Sequence, residues 1–208
     1  MQPILIATDR GDARVHLHPA EAGRGALVLG HGAGGGVNAP DLTATAAVGL
    51  RAGLDVALVE QPYRVAGRRA PAPAPHLDAA WLTVIARLAE RELAGRPLVF
   101  GGRSLGARVA CRTAAEGNAV AVLCLAFPLL PPRRAAARTG AVSREPELDA
   151  VPVPMLVVQG DGDRFGMPAP RSGRAVVPVT GDHSLRSDLD AVSRAVGDWL
   201  AALPALSV

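Results

Sequence analysis

Three observations predict an α/β fold: a mostly parallel, twisted sheet of about seven to eight strands, with helices on both faces. Short continuous apolar runs alternate with segments of helical periodicity, the pattern of strands joined by helical crossovers. The runs are aliphatic, as strands buried on both faces require; 49% of the 208 residues are hydrophobic and only 3% aromatic. Glycine-rich segments follow several runs, where ligands bind at the carboxyl ends of parallel strands. The length fits one domain over 1–208, with no insertion long enough for a cap domain.

Each element has its own signal. Ile4 to Ala7 and Ala13 to Leu17 flank Asp9-Arg10-Gly11-Asp12 and predict an N-terminal antiparallel hairpin. Gly25 to Leu29 is the next strand, and after a glycine-rich loop Pro40 to Ala52 is a helix stopped by Gly53. Leu54 to Val59 is a strand ending at Glu60-Gln61-Pro62, and Tyr63 to Pro75, rich in proline and arginine, reads as an irregular surface loop. Trp81, Val84, Ile85 and Leu88 follow the i, i+3, i+4, i+7 rule and place a helix over His76 to Leu93. Pro97 to Phe100 is a strand, followed by a tight turn and a helix to about Glu116. Ala119 to Ala126, Val153 to Val158 and Ala175 to Val179 are buried strands. The long loop opened by Pro131-Pro132-Arg133-Arg134 has room for a short helix over Ala135 to Arg138. Leu189, Val192, Val196, Trp199, Leu200 and Leu203 share the face of a final helix, with Ser187 or Asp188 as its N-cap.

Composition excludes several classes of function. The net charge of +3 comes from scattered arginines rather than a basic tail, so nucleic acid is not an expected partner. No apolar run approaches the ~20 residues that span a bilayer, and the N-terminus is too short and too weakly cationic for a signal peptide. A cytoplasmic protein with no membrane partner is expected. Cys111 and Cys124 lack C-x-x-C spacing and fall on apolar faces, as small core residues rather than a disulfide or metal site. No cofactor and no metal are expected, and oligomeric state is not readable.

The chemistry concentrates after the strands. Gly102-Arg103-Ser104-Leu105-Gly106 lies between a strand and a helix and fits the G-x-S-x-G nucleophile elbow. A serine at so sharp a turn needs glycines on both sides, and it sits beside the free N–H groups of a helix start, which favour a developing oxyanion. Gly30-His31-Gly32-Ala33-Gly34-Gly35-Gly36 resembles the H-G-x-G loop of esterases and lipases, in which a backbone N–H is the second oxyanion donor. Gln159-Gly160-Asp161-Gly162-Asp163 holds two carboxylates. Asp163 fits a G-x-x-D pattern resembling the acid loop of α/β-hydrolases and is the favoured acid, while Asp161 suits a turn-stabilising role. Thr180-Gly181-Asp182-His183-Ser184 carries a histidine after the last strand and before the last helix.

Serine, acid and histidine, each after its own strand, follow the chain order of α/β-hydrolases, and the chain resembles that superfamily over nearly its whole length. Gly101-Gly102-Arg103-Ser104, Gln159-Gly160 with Asp163, and Gly181-Asp182-His183-Ser184 resemble the small, lidless, dienelactone-hydrolase-like branch that includes testis-expressed protein thirty-like hydrolases. The elbow here holds Ser104 where dienelactone hydrolases carry cysteine. The resemblance implies a serine hydrolase of carboxylic esters or thioesters, with Ser104, Asp163 and His183 as triad and the N–H groups of Ala33 and Leu105 as oxyanion hole. A small-molecule acyl substrate is the implied partner. His31, Gly34, Arg103 and Arg64 lie where they can touch it, and Arg64, Arg68, Arg69, Arg133 and Arg134 can attract an acidic one. Two other readings stand beside this one. Gly30, Gly32 and Gly35 also satisfy G-x-G-x-x-G, with Glu60 as ribose ligand of a dinucleotide-binding protein. The fold also serves as a non-catalytic binding scaffold.

Overall fold

The computed structural model describes residues 2–21, 23–131 and 143–206. Arg133, Arg134 and the short helix expected over 135–138 lie outside the described residues. The strands are β1 (Ile4–Thr8), β2 (Gly11–His18), β3 (Ala26–Gly30), β4 (Asp55–Glu60), β5 (Leu98–Arg103), β6 (Ala121–Leu125), β7 (Met155–Gly160) and β8 (Arg174–Val179). They form one eight-stranded sheet in the order β1-β2-β4-β3-β5-β6-β7-β8. The hairpin is present, and β2 joins the sheet antiparallel to β4. From β4 to β8 every pairing is parallel.

Parallel strands alternate their side chains between two covered faces. Val28, Phe100, Val122 and Cys124 meet α3 (Ala74–Glu90) and α4 (Leu105–Thr113) on one face, where the edge of Trp81 packs on Phe100 with ring centroids 5.8 Å apart. Leu27, Leu29, Val99 and Leu123 meet α1 (Pro40–Arg51) and α6 (Leu189–Ala201) on the other. Asp188 caps α6: its Oδ1 accepts from Ala191 N at 2.8 Å.

The structure departs from the expected elements in several places. Residues 63–65, expected to be irregular, join Pro62 in the short helix α2 (Pro62–Val65), because a proline at the first helical position has no N–H to waste and the right φ to begin. The same property lets α3 begin at Ala74, taking Pro75 into its first turn. A further one-turn helix, α5 (Glu145–Asp149), lies between β6 and β7, and a 3-10 turn at Pro204–Leu206 tucks Leu206 into the core. β5 runs on to Arg103, so that the strand delivers Ser104 directly to the start of α4.

Cys111 and Cys124 are free, buried thiols with sulfurs 3.4 Å apart. Among the described residues no helix is long and apolar enough to cross a membrane, and no group of three or more His, Cys, Asp or Glu side chains is placed to hold a metal ion.

Candidate active site

The turn from β5 into α4 is as tight as the glycine spacing implies. Ser104 takes φ 52° and ψ −104°, a left-handed conformation that a side-chain-bearing residue holds only when its surroundings impose it. The surroundings are the two glycines. A Cβ on Gly102 would come within 2.5 Å of the Gly30 carbonyl oxygen, and one on Gly106 would overlap the same carbonyl group. α4 therefore rests directly on the end of β3. This brings the glycine loop that follows β3 up against the serine.

Ser104 Oγ lies 2.9 Å from His183 Nε2, and His183 Nδ1 lies 2.7 Å from Asp163 Oδ2. The acid is itself held: Gln159 Nε2 donates to Asp163 Oδ2 at 2.8 Å, and Phe165 N donates to Oδ1 at 2.9 Å. Asp161, two residues earlier, faces elsewhere. Its exposed carboxylate accepts from Gly181 N at 3.0 Å and so ties the turn after β7 to the loop after β8. The edge of the Phe165 ring packs on His183 with centroids 4.6 Å apart.

The glycine loop is held by His31 rather than presenting it. His31 is 1% exposed; Nδ1 bonds the Gly32 carbonyl oxygen at 2.8 Å and Nε2 accepts from Gln61 N at 3.1 Å. Those partners require the neutral ring with its proton on Nδ1, and burial, ahead of any charge nearby, lowers its pKa. Both nitrogens are committed, which leaves none for a substrate. Tyr63 on α2 holds the next residue: its hydroxyl donates to the Ala33 carbonyl oxygen at 3.0 Å, and burial pushes the phenol up to about 12, so it stays protonated. Gly34 borders open space, with nothing within 4 Å of where its Cβ would be. Arg64 lies on α2, half-buried, and Arg68 and Arg69 are exposed beyond it. Leu105 is the first residue of α4, so its N–H has no intrahelical acceptor.

Residues 23–188 match a family model described as the alpha/beta hydrolase domain. The chain belongs to the alpha/beta hydrolase family. Membership supports a hydrolase. Solved structures share the fold at low identity: Est1E from Butyrivibrio proteoclasticus has a TM-score of 0.78 at 16% identity over 97% of this chain and 98% of that one. XC6422 from Xanthomonas campestris, described as an α/β serine hydrolase without lid, has a TM-score of 0.72 at 18% identity over 98% and 96%. A dienelactone hydrolase from Anabaena variabilis has a TM-score of 0.73 at 17% identity over 98% and 99%. No curated protein matches the sequence.

Within this alpha/beta hydrolase fold, sequence reasoning gave no role to Asp41, Phe165 or Tyr63, and quoted Gln159 only as part of a motif. Asp41 sits in the first turn of α1 with its carboxylate fully buried against Arg103. Its only sequence signal was an acidic residue at a helix start, which is ordinary capping chemistry. Gln159 had a stronger one, since an uncharged polar residue closing a fully apolar strand must find partners inside.

Proposed function

We propose that this hydrolase cleaves carboxylic esters or thioesters of small acyl substrates through Ser104, His183 and Asp163, with an acyl-enzyme intermediate. The observation that carries this reading is the unbroken pair of hydrogen bonds from Ser104 Oγ through the His183 ring to Asp163. A serine hydroxyl is a weak nucleophile until a base takes its proton, and the base must hold the right tautomer to do so. Asp163 keeps the His183 proton on Nδ1, which leaves Nε2 free to accept.

Ser104 Oγ then attacks the acyl carbonyl carbon as its proton passes to His183 Nε2. The carbonyl oxygen becomes an oxyanion held by the N–H groups of Leu105 and Ala33. Collapse of the tetrahedral intermediate breaks the bond to the alcohol or thiol, which leaves with the proton from His183. Water repeats the sequence on the acyl-enzyme and releases the acid. Asp163 stabilises the imidazolium at both stages and is not itself protonated.

The dinucleotide reading has less support. Its ribose ligand, Glu60, is paired with Arg14 at 3.0 Å and lies 3.5 Å from His16, and α1 begins at Pro40, not directly after Gly35. Hydrolysis of p-nitrophenyl acetate tests the enzyme reading against the scaffold reading. Wild type is expected to turn it over, and Ser104→Ala to lose on the order of 10⁴-fold or more in kcat. Equal rates in the two proteins would contradict the proposal.

A further inference from the structure

Arg103, the residue before Ser104, stands where several parts of the site meet. Its Nη2 donates to the backbone carbonyl oxygen of His183 at 2.9 Å. Its Nε lies 3.0 Å from Asp41 Oδ2, an ion pair whose N–H points off the line of a good hydrogen bond. Its Nη1 lies against the glycine loop, 2.7 Å from where a Cβ on Gly32 would be. One guanidinium thus spans the elbow, the oxyanion loop, the start of α1 and the loop carrying His183.

Energetics say what such an arrangement is for. A buried ion pair is a poor stabiliser, because apolar side chains would fill the space without desolvating two charges. Burial pushes the Asp41 carboxyl above its ordinary value, and the Arg103 charge offsets part of that rise. What an apolar pair cannot do is aim an N–H at a carbonyl. Among the described residues, Arg103 makes the only hydrogen bond to the His183 main chain. The imidazole is held at its Nδ1 side by Asp163, but the backbone that carries it is held by Arg103.

We propose, on the reading of Ser104 and His183 as nucleophile and base, that Arg103 is a positioning residue. With Asp41 as counter-ion it clamps the His183 main chain, so that Nε2 stays within reach of Ser104 Oγ. Because Arg103 is bonded covalently to Ser104, one residue sets the spacing between the backbones of nucleophile and base. Asp41 neutralises the guanidinium, so its charge does not oppose the imidazolium formed on proton transfer. Arginine is required because the planar fork serves Asp41 and the His183 carbonyl at once, whereas an ammonium is a single point.

The test uses Arg103→Lys, Arg103→Ala, and Arg103→Met combined with Asp41→Asn, which removes the pair without leaving a buried charge. Melting temperature, kcat and KM on p-nitrophenyl acetate, and amide hydrogen exchange over residues 180–187 are measured for each. All three variants are expected to lose on the order of 10- to 100-fold in kcat with KM within about threefold, since a small misplacement of a catalytic group costs that much. Exchange over 180–187 is expected to quicken by about tenfold or more, and millimolar guanidinium to restore part of kcat to Arg103→Ala. The proposal is overturned if the double variant keeps kcat per folded molecule within about twofold and exchange is unchanged, even where its melting temperature falls. If wild type and Ser104→Ala prove equally inactive on the ester, the serine-hydrolase reading fails on its own. The exchange measurement then still decides the clamp: faster exchange in Arg103→Ala supports it, and unchanged exchange overturns it.

Discussion

Asp163 and Asp161 are separated by one residue and differ in what they face. Asp163 meets His183 Nδ1 at 2.7 Å, while Asp161 accepts from a backbone N–H at the surface. On the proposed mechanism, replacing Asp163 by its amide reverses the tautomer preference of the histidine, so Asp163→Asn is expected to lower kcat on the order of 10³- to 10⁴-fold. Asp161→Asn keeps an oxygen for Gly181 N–H and is expected to stay within about tenfold of wild type. Steady-state kinetics of the two variants separates them, and equal losses would contradict the assignment. His31 makes a prediction of a different kind. Its pKa is lowered in the folded protein, so near its ordinary value of 6.5 the unfolded chain takes up a proton that the folded chain refuses. Its contribution to stability is therefore complete above about pH 6.5 and lost as pH falls below that value toward the lowered folded pKa. Melting curves from pH 7.5 to pH 5 should show a shallower decline in His31→Gln than in wild type. Parallel declines would remove His31 as a source of the acid sensitivity.

The elbow works as a unit of strand, turn and helix. β5 carries the chain to Arg103, Ser104 turns it with a positive φ, and α4 starts at once over the Gly30 carbonyl. A methyl group on Gly106 has backbone in its way, which cannot rotate aside as a flexible side chain can. Gly106→Ala is expected to cost about 1–3 kcal/mol or more, read as a fall in melting temperature of roughly 2–4 °C per kcal/mol. Gly34→Ala is its control, since the added methyl meets nothing within 4 Å. If the two variants melt together, the close approach of α4 to β3 is not what requires glycine in the elbow. At the other end of the chain, Asp188→Ala removes the α6 cap and is expected to cost about 1 kcal/mol by the same measurement.

The sheet was the most legible part of the molecule, because parallel strands covered on both faces must be written as continuous apolar runs. Ala26 to Gly30 and Ala121 to Leu125 are buried at every position. The elbow was legible for a related reason: contacts that exclude any Cβ leave glycine as the only residue, and paired glycines around one serine stand out. The helices α2 and α5 were not, since four or five residues complete barely one turn and show no period. Nor was the clamp of Arg103 between Asp41 and His183, whose three members lie at a strand end, a helix start and a loop and meet only when the sheet brings its carboxyl ends together. The sequence reading placed Arg103 where it could touch substrate and gave Asp41 no role, so it did not contain the pair.

The proposed function rests on one hydroxyl, that of Ser104, hydrogen-bonded to His183. A fluorophosphonate probe reacts only with a serine so activated, and the adduct can be located by peptide mass spectrometry. Folded wild-type protein is expected to take up one equivalent, on Ser104, with labelling lost in Ser104→Ala and strongly slowed in His183→Ala and Asp163→Asn. Folded protein that leaves Ser104 unlabelled under conditions that label a known serine esterase would contradict the account.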